Sequence, residues 1–232
     1  MESLTEKVMD YVRDGVAQGT MVPGQWYSVY KLASELDISR SPVRDGLLRL
    51  EEAGLISFTR NRGFQIVPTN PADVAELFAL RLGIEPPAAY RAARQRTPAQ
   101  LAEAHRLVEA MTQAAGRGDE RTFFAHDRAL HHQILVMGGA RRGVAIVDRI
   151  RDNTVLLGHS TAGRSRSLAD ILAEHQPIIE AIERGDGLIA AAAMRSHLGS
   201  TGRLLLAQAA HTAGLDEQAT ATIWADYTAG LL

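Results

Sequence analysis

The chain has 232 residues, 46% of them hydrophobic, and a formal net charge of -2. It contains no cysteine, which excludes disulfides, thiol catalysis and cysteine-ligated metal. No apolar run approaches the length of a membrane span and residues 1–15 are charged and amphipathic rather than signal-like, so a soluble cytoplasmic protein with no membrane partner is expected.

Residues 4–17 read as a helix with Leu4, Val8, Tyr11 and Val12 on one side. Pro23-Gly24 makes a turn, and Val29, Leu32, Ala33 and Leu36 return to helical spacing. A short turn at 36–39 follows. Ser41 before Pro42 then predicts a helix start, an N-cap residue ahead of a proline at the first helical position. Val43, Leu47, Leu48 and Leu50 are expected on its buried side, and Gly54 is expected to end it. Residues 55–59 and 64–67 read as strands joined by the hairpin turn Asn61-Arg62-Gly63. The order is helix, helix, turn, helix and a two-stranded wing.

Pro68-Thr69-Asn70-Pro71 marks a boundary, because two prolines around Thr-Asn disfavour helix before a new apolar period begins at Val74. The expected organisation is a head of residues 1–68, a linker of 69–71, an all-helical domain of 72–211 and a helical tail of 212–232. Helices are predicted at about 72–94, 98–115, 119–137, 140–158, 167–184 and 187–210. Pro86-Pro87 should kink or divide the first of these. The tail is amphipathic around Ile223, Trp224 and Tyr227.

Helix 39–50 has the pattern of a DNA-reading element, polar and basic at its N-terminus with an apolar side for its own core. Arg40 and Arg44 are four apart and face one way, able to chelate guanine or grip phosphate. Ser39 and Ser41 can contact phosphate oxygens, and Arg60 and Arg62 flank a wing tip where Gly63 permits close backbone approach. Residues 1–70 hold eight Lys/Arg against nine Asp/Glu, whereas residues 40–62 hold five Arg against three acids. The basic charge is local, and the competing reading is a solvated helix with ordinary surface arginines.

The stretches Val22-Pro23-Gly24-Gln25, Leu32-Ala33-Ser34-Glu35-Leu36, Ile38-Ser39-Arg40-Ser41-Pro42-Val43-Arg44 and Leu48-Arg49-Leu50-Glu51-Glu52-Ala53-Gly54-Leu55-Ile56 resemble the winged helix-turn-helix of the GntR family. The resemblance covers the whole head. It implies that Arg40 and Arg44 read double-stranded operator DNA, with Gly63 approaching the minor groove; Ser39, Ser41, Arg49 and Arg62 are further expected DNA contacts. Where members often carry a basic residue two before the leucine of the second helix, this chain has Tyr30.

The helical part carries polar residues on apolar faces. Asp127 and His131 share the face of Phe123, Leu130 and Ile134; His175 lies amid Ile171, Ile178 and Ile182; His197 lies in line with Met194 and Leu204. Burying an aspartate without a partner is costly. Asp127 and His131 are i and i+4, and His175 and His197 stand at similar heights about a turn at 185–186. One carboxylate and three imidazoles suit a divalent transition metal, whether zinc, nickel, manganese or iron. The competing reading makes each histidine a satisfied core residue. Arg81 and Asn153 also fall on apolar faces. They are candidate effector contacts, a bidentate carboxylate clamp with a neutral partner, or else Arg81 belongs to an internal ion pair with Glu85 or Asp127.

Asp127-x-x-x-His131, Glu174-His175 with Ile179-x-Ala181-Ile182-x-x-Gly185-Asp186, and Met194-x-x-His197-Leu198 resemble the FCD-type C-terminal domain of the FadR subfamily, in its metal-binding branch. The resemblance implies a mainly α protein, with a six- or seven-helix antiparallel bundle behind the winged head. It also implies a homodimer, a small carboxylate effector and the four residues as metal ligands. The function so implied is a transcription regulator whose operator affinity answers to that effector. The competing function is a metal-dependent enzyme acting on a small organic acid, and a purely structural metal is a third reading.

Overall fold

The first helix, α1 (Leu4–Ala17), starts where Ser3 and Glu6 form a reciprocal capping box. Ser28 caps α2 (Val29–Glu35) by accepting from the Lys31 amide. The computed structural model describes residues 3–52, 54–59, 62–156 and 166–232, apart from the side chains of residues 17 and 152–156. The next helix, α3 (Arg40–Glu52), begins one residue before the expected cap, so Ser41 and Pro42 sit in its first turn. Proline is accepted there because the first amides of a helix have no intrahelical acceptor. Val43, Leu47 and Leu50 are fully buried, whereas Leu48 points outward and is 46% exposed. It is one step, about 100°, round the helix from Leu47.

The wing has three strands rather than two. Strand β1 (Trp26–Tyr27) joins β2 (Ile56–Thr59) and β3 (Gly63–Ile66) in the antiparallel order β1-β3-β2. Two residues are too short to show an alternating period, which hides β1 in the sequence. Phe64 pairs with Tyr27 on one side and Phe58 on the other, and its ring closes the head's core against Val8, Leu32, Leu47 and Ile56. Gly63 has φ +100°, and a Cβ there would collide with the Tyr27 carbonyl oxygen. Glycine at this position is therefore required by the sheet itself.

One compact unit is built on the described residues of 3–69 and the other on residues 70–151 and 166–232. The second is a bundle of seven helices among the described residues: α4 (Pro71–Gln95), α5 (Pro98–Gly116), α6 (Glu120–Met137), α7 (Arg141–Leu156), α8 (Leu168–Arg184), α9 (Gly187–Thr212) and α10 (Glu217–Thr228). Its axis is α4, which packs against α6, α8, α9 and α10. Helix α4 is not divided at Pro86-Pro87. Two amide donors are lost there, yet Leu82, Ala88, Ala89 and Ala92 are buried on both sides, and packing carries the helix across. Asp186 caps α9 directly after the left-handed Gly185, closing the α8–α9 hairpin. The tail forms α10, whose Trp224 fills the notch left by Gly202 on α9, where a Cβ would collide with the indole. Among the described residues, no helix is long and apolar enough to cross a membrane.

In the head, a Cβ at Gly46 of α3 would lie 2.9 Å from the Thr5 carbonyl oxygen and from Val8 on α1. The two helices meet too closely for a side chain. Gly46→Leu is expected to destabilise the head by about 1–3 kcal/mol, the usual cost of overpacking. A urea titration followed by circular dichroism should show the lowered midpoint.

Candidate metal centre and DNA-reading head

Helices α6, α8 and α9 bring His131, His175 and His197 to one point in the bundle, with ring centroids 4.3–5.3 Å apart and all three side chains buried. Their ligand atoms all lie within 4.8 Å of one another. Each Nδ1 is already engaged. That of His131 meets the Glu85 carboxylate, that of His175 the Ile171 carbonyl at 2.8 Å, and that of His197 the Glu174 carboxylate at 2.9 Å. These acceptors place the proton on Nδ1 and leave each Nε2 as a lone pair.

The inner nitrogens then face one another without a donor. His175 Nε2 lies 3.3 Å from His131 Nε2 and 2.9 Å from Asp127 Oδ1. Asp127 Oδ1 is 4.0 Å from His131 Nε2. Lone pairs at such distances repel unless a cation is shared among them. Ligands about 2.1 Å from a tetrahedral or octahedral ion stand about 3.0–3.4 Å apart. The donor set and its spacing fit a divalent transition metal. Asp127 lies at the edge of this cluster, next to two of the histidines.

Every carboxylate around the site is held by an arginine. Arg81 Nε donates to Glu85 at 2.5 Å, and Glu85 serves His131. Arg166 donates to Glu174 at 2.5 Å and to Thr201 at 2.8 Å, and Glu174 serves His197. Arg151 pairs with Asp127, which faces His175. Burial by itself would raise the Asp127 pKa, but the charge of Arg151 holds it well below the usual carboxylate range. Glu85 is likewise lowered against burial by Arg81 and His131. Burial lowers His131 to about 4 despite Glu85, and lowers His197 to about 3.

In the head, Ser39, Arg40, Ser41, Arg44, Arg49 and Arg62 are all exposed. Arg40 and Arg44 lie one helical turn apart on α3. Arg49 is nine positions from Arg40, about 180° round the helix, and its charge is felt by Glu6 of α1. Arg62 opens the turn into β3, its amide donating to the Thr59 carbonyl at 3.0 Å.

Residues 4–66 match the family model "Bacterial regulatory proteins, gntR family", and residues 76–200 match the FCD domain. The chain belongs to the GntR family. It is a DNA-binding transcription regulator with an FCD domain, and the proteins it matches are regulators, not enzymes, which sets aside the metal-dependent enzyme. It is 25% identical over 196 residues to the probable D-xylose utilization operon transcriptional repressor of Paenarthrobacter nicotinovorans, covering 84% of this chain and 86% of that one. It is 22% identical over 197 residues to the transcriptional repressor RspR of Escherichia coli, covering 85% and 86%. The solved structure of E. coli McbR/YncC shares the fold, with a TM-score of 0.71 at 21% identity over 90% of this chain and 99% of that one.

Within this GntR chain, the three histidines come together with Asp127 beside His131 and His175, and Arg81 forms a buried ion pair with Glu85. The side chain of Asn153 lies outside the described residues, as do Arg60 and His159. His132 turns away from the centre to Asp148 at 3.0 Å, and His105 lies near Glu183 on the surface. Sequence reading left three arginine–carboxylate partners of the site unassigned: Glu85 as the support of His131, Arg151 and Arg166. Glu85 and Arg166 carry no periodic signal of their own, because each is defined by what it reaches on another helix or across a loop.

His131 and His197 stay neutral in the fold, whereas in an unfolded chain they take up protons near pH 6.5. Below that pH the unfolded state binds more protons, so stability falls as the pH drops from 6.5 towards 4. The loss is up to about 1.4 kcal/mol per pH unit for each histidine. Thermal melts of metal-free chain across this range should show a steadily falling midpoint. A flat profile would contradict the neutral, buried state of these rings.

Proposed function

We propose that this GntR regulator senses a small carboxylate at a divalent metal held by His131, His175, His197 and Asp127, and that occupancy changes its affinity for an operator. The observation that carries the reading is the set of three histidines whose Nδ1 protons are all spoken for and whose Nε2 lone pairs converge. A bound metal, whether zinc, nickel, manganese or iron, would supply a Lewis acid to which a carboxylate oxygen can coordinate. Glu85, Ile171 and Glu174 fix the ring orientations, and the arginines behind the carboxylates keep those acceptors ionised.

Two buried guanidinium nitrogens support an anionic effector. Arg81 Nη2 and Arg151 Nε find no acceptor among the described residues. Both arginines act on the charge of Asp127. Donors left unpaired in a buried site are costly, and a carboxylate beside the metal would satisfy them. Asn153 remains part of the proposal as a neutral partner.

In the head we assign DNA reading to Arg40 and Arg44 on α3, phosphate contacts to Ser39, Ser41 and Arg49, and a groove contact to the hairpin at Arg62 and Gly63. A cytoplasmic homodimer completes the reading, since two heads on a two-fold axis match a palindromic operator. The effector biases whichever state binds DNA better, and its effect is bounded by its differential affinity for the two states.

Glu174→Gln tests the centre without removing a ligand. It should weaken metal affinity about 10–100-fold, as loss of a histidine-supporting carboxylate usually does. His175→Ala should bring metal content per chain close to zero. Elemental analysis of the purified proteins and competition with a chelator provide both readouts. Full metal content in His175→Ala would overturn the assignment.

A further inference from the structure

Two arginines of the proposed reading surface rest on aromatic rings. The Arg40 guanidinium carbon stands 4.9 Å from the Tyr30 ring centroid, and its Nη1 donates to the Tyr30 hydroxyl at 3.0 Å. On the wing, the Arg62 guanidinium carbon stands 5.0 Å from the Trp26 ring centroid. Tyr30 is 69% exposed. Core packing therefore does not explain it, and a large exposed aromatic has no stabilising duty at that place.

Tyr30 stands on α2, and Arg40 opens α3. A basic residue at position 30 would repel Arg40 and add its own phosphate contact. Tyrosine gives up that contact and holds the neighbouring guanidinium instead. A guanidinium carries five N–H donors in a fixed plane. With one donor engaged by the hydroxyl and the cation held over the ring, the remaining donors lose less freedom on meeting DNA.

We propose that Tyr30 is a positioning residue for DNA reading, a seat that aims Arg40 at its base or phosphate and sharpens base preference there. The inference rests on the reading of Arg40 as a DNA contact. The Trp26–Arg62 stack repeats the device at the hairpin.

The test uses the full chain and the duplex that it enriches from a library of randomised 30-mers. Tyr30→Phe removes only the hydroxyl and should weaken binding about threefold, whereas Tyr30→Leu removes ring and hydroxyl and should weaken it about tenfold. Sequences enriched by Tyr30→Leu should lose preference at the same base pairs as those enriched by Arg40→Ala. In the Arg40→Ala background, Tyr30→Leu should have no further effect, which a double-mutant cycle reads directly. Tyr30→Lys should steepen the dependence of log affinity on log salt by about 0.9, one added phosphate contact.

An additive effect of Tyr30→Leu and Arg40→Ala, or unchanged affinity and preference in Tyr30→Leu while Arg40→Ala weakens binding, overturns the seat alone. Unchanged binding in Arg40→Ala, or no sequence enriched by the unaltered chain, overturns the DNA-reading assignment and the seat with it. If Tyr30→Leu unfolds, Tyr30→Phe alone and in the Arg40→Ala background decides the question.

Discussion

Ionisable groups in the middle of a helical bundle cost several kcal/mol each unless partners surround them, and the second unit of this protein is arranged around that constraint. Three arginines, three carboxylates and three imidazoles are drawn together. Arg81 supports Glu85 and His131; Arg166 supports Glu174 and His197; Arg151 supports Asp127, which faces His175. Each chain crosses between elements: from α4 to α6, from α7 to α6 and α8, and from the approach to α8 on to α9. The polar centre thus ties together helices that apolar packing alone would leave free to slide.

The same constraint explains the shape of α4. Glu85 stands immediately before Pro86, in the stretch where the helix has lost two amide donors. Its carboxylate is fixed by Arg81 one turn earlier and by His131 across the interface. An unbroken passage through two prolines is sustained by buried alanines on α4 and by this polar bond. The tail contributes from the other side, with Trp224 seated on Gly202 of the helix that carries His197.

The head works with the opposite economy. Its charge is nearly balanced, so long-range attraction to DNA is weak, and discrimination must come from a few well-placed side chains. Close contact of α1 with α3 at Gly46, and of β1 with β3 at Gly63, makes a rigid frame. On that frame the exposed ring of Tyr30 and the half-buried ring of Trp26 lie beside the cations of Arg40 and Arg62. Stiffness in the presenting side chain reduces the entropy lost on binding.

Much of this was legible in the residues alone. Periodicity, caps and turn glycines located helices α1 to α6, α8 and α9 to within about two residues, the ordinary uncertainty of helix ends, whereas the tail expected over 212–232 is helical only over Glu217–Thr228. Asp127, His131, His175 and His197 stood out because polar groups interrupted apolar faces. The rest was not legible, for one reason. The pairing of β1 and the unbroken path of α4 depend on neighbours distant in sequence. So do Arg151 and Arg166, and so does Glu85 as the support of His131, since periodicity reports which way a side chain faces and not what waits for it there. The order of elements and the inward polar residues were therefore determined by the sequence itself. Which arginine stands behind which carboxylate, and which nitrogen of each imidazole is left free, was decided only when the helices packed, because a hydrogen bond is a property of two surfaces and not of one.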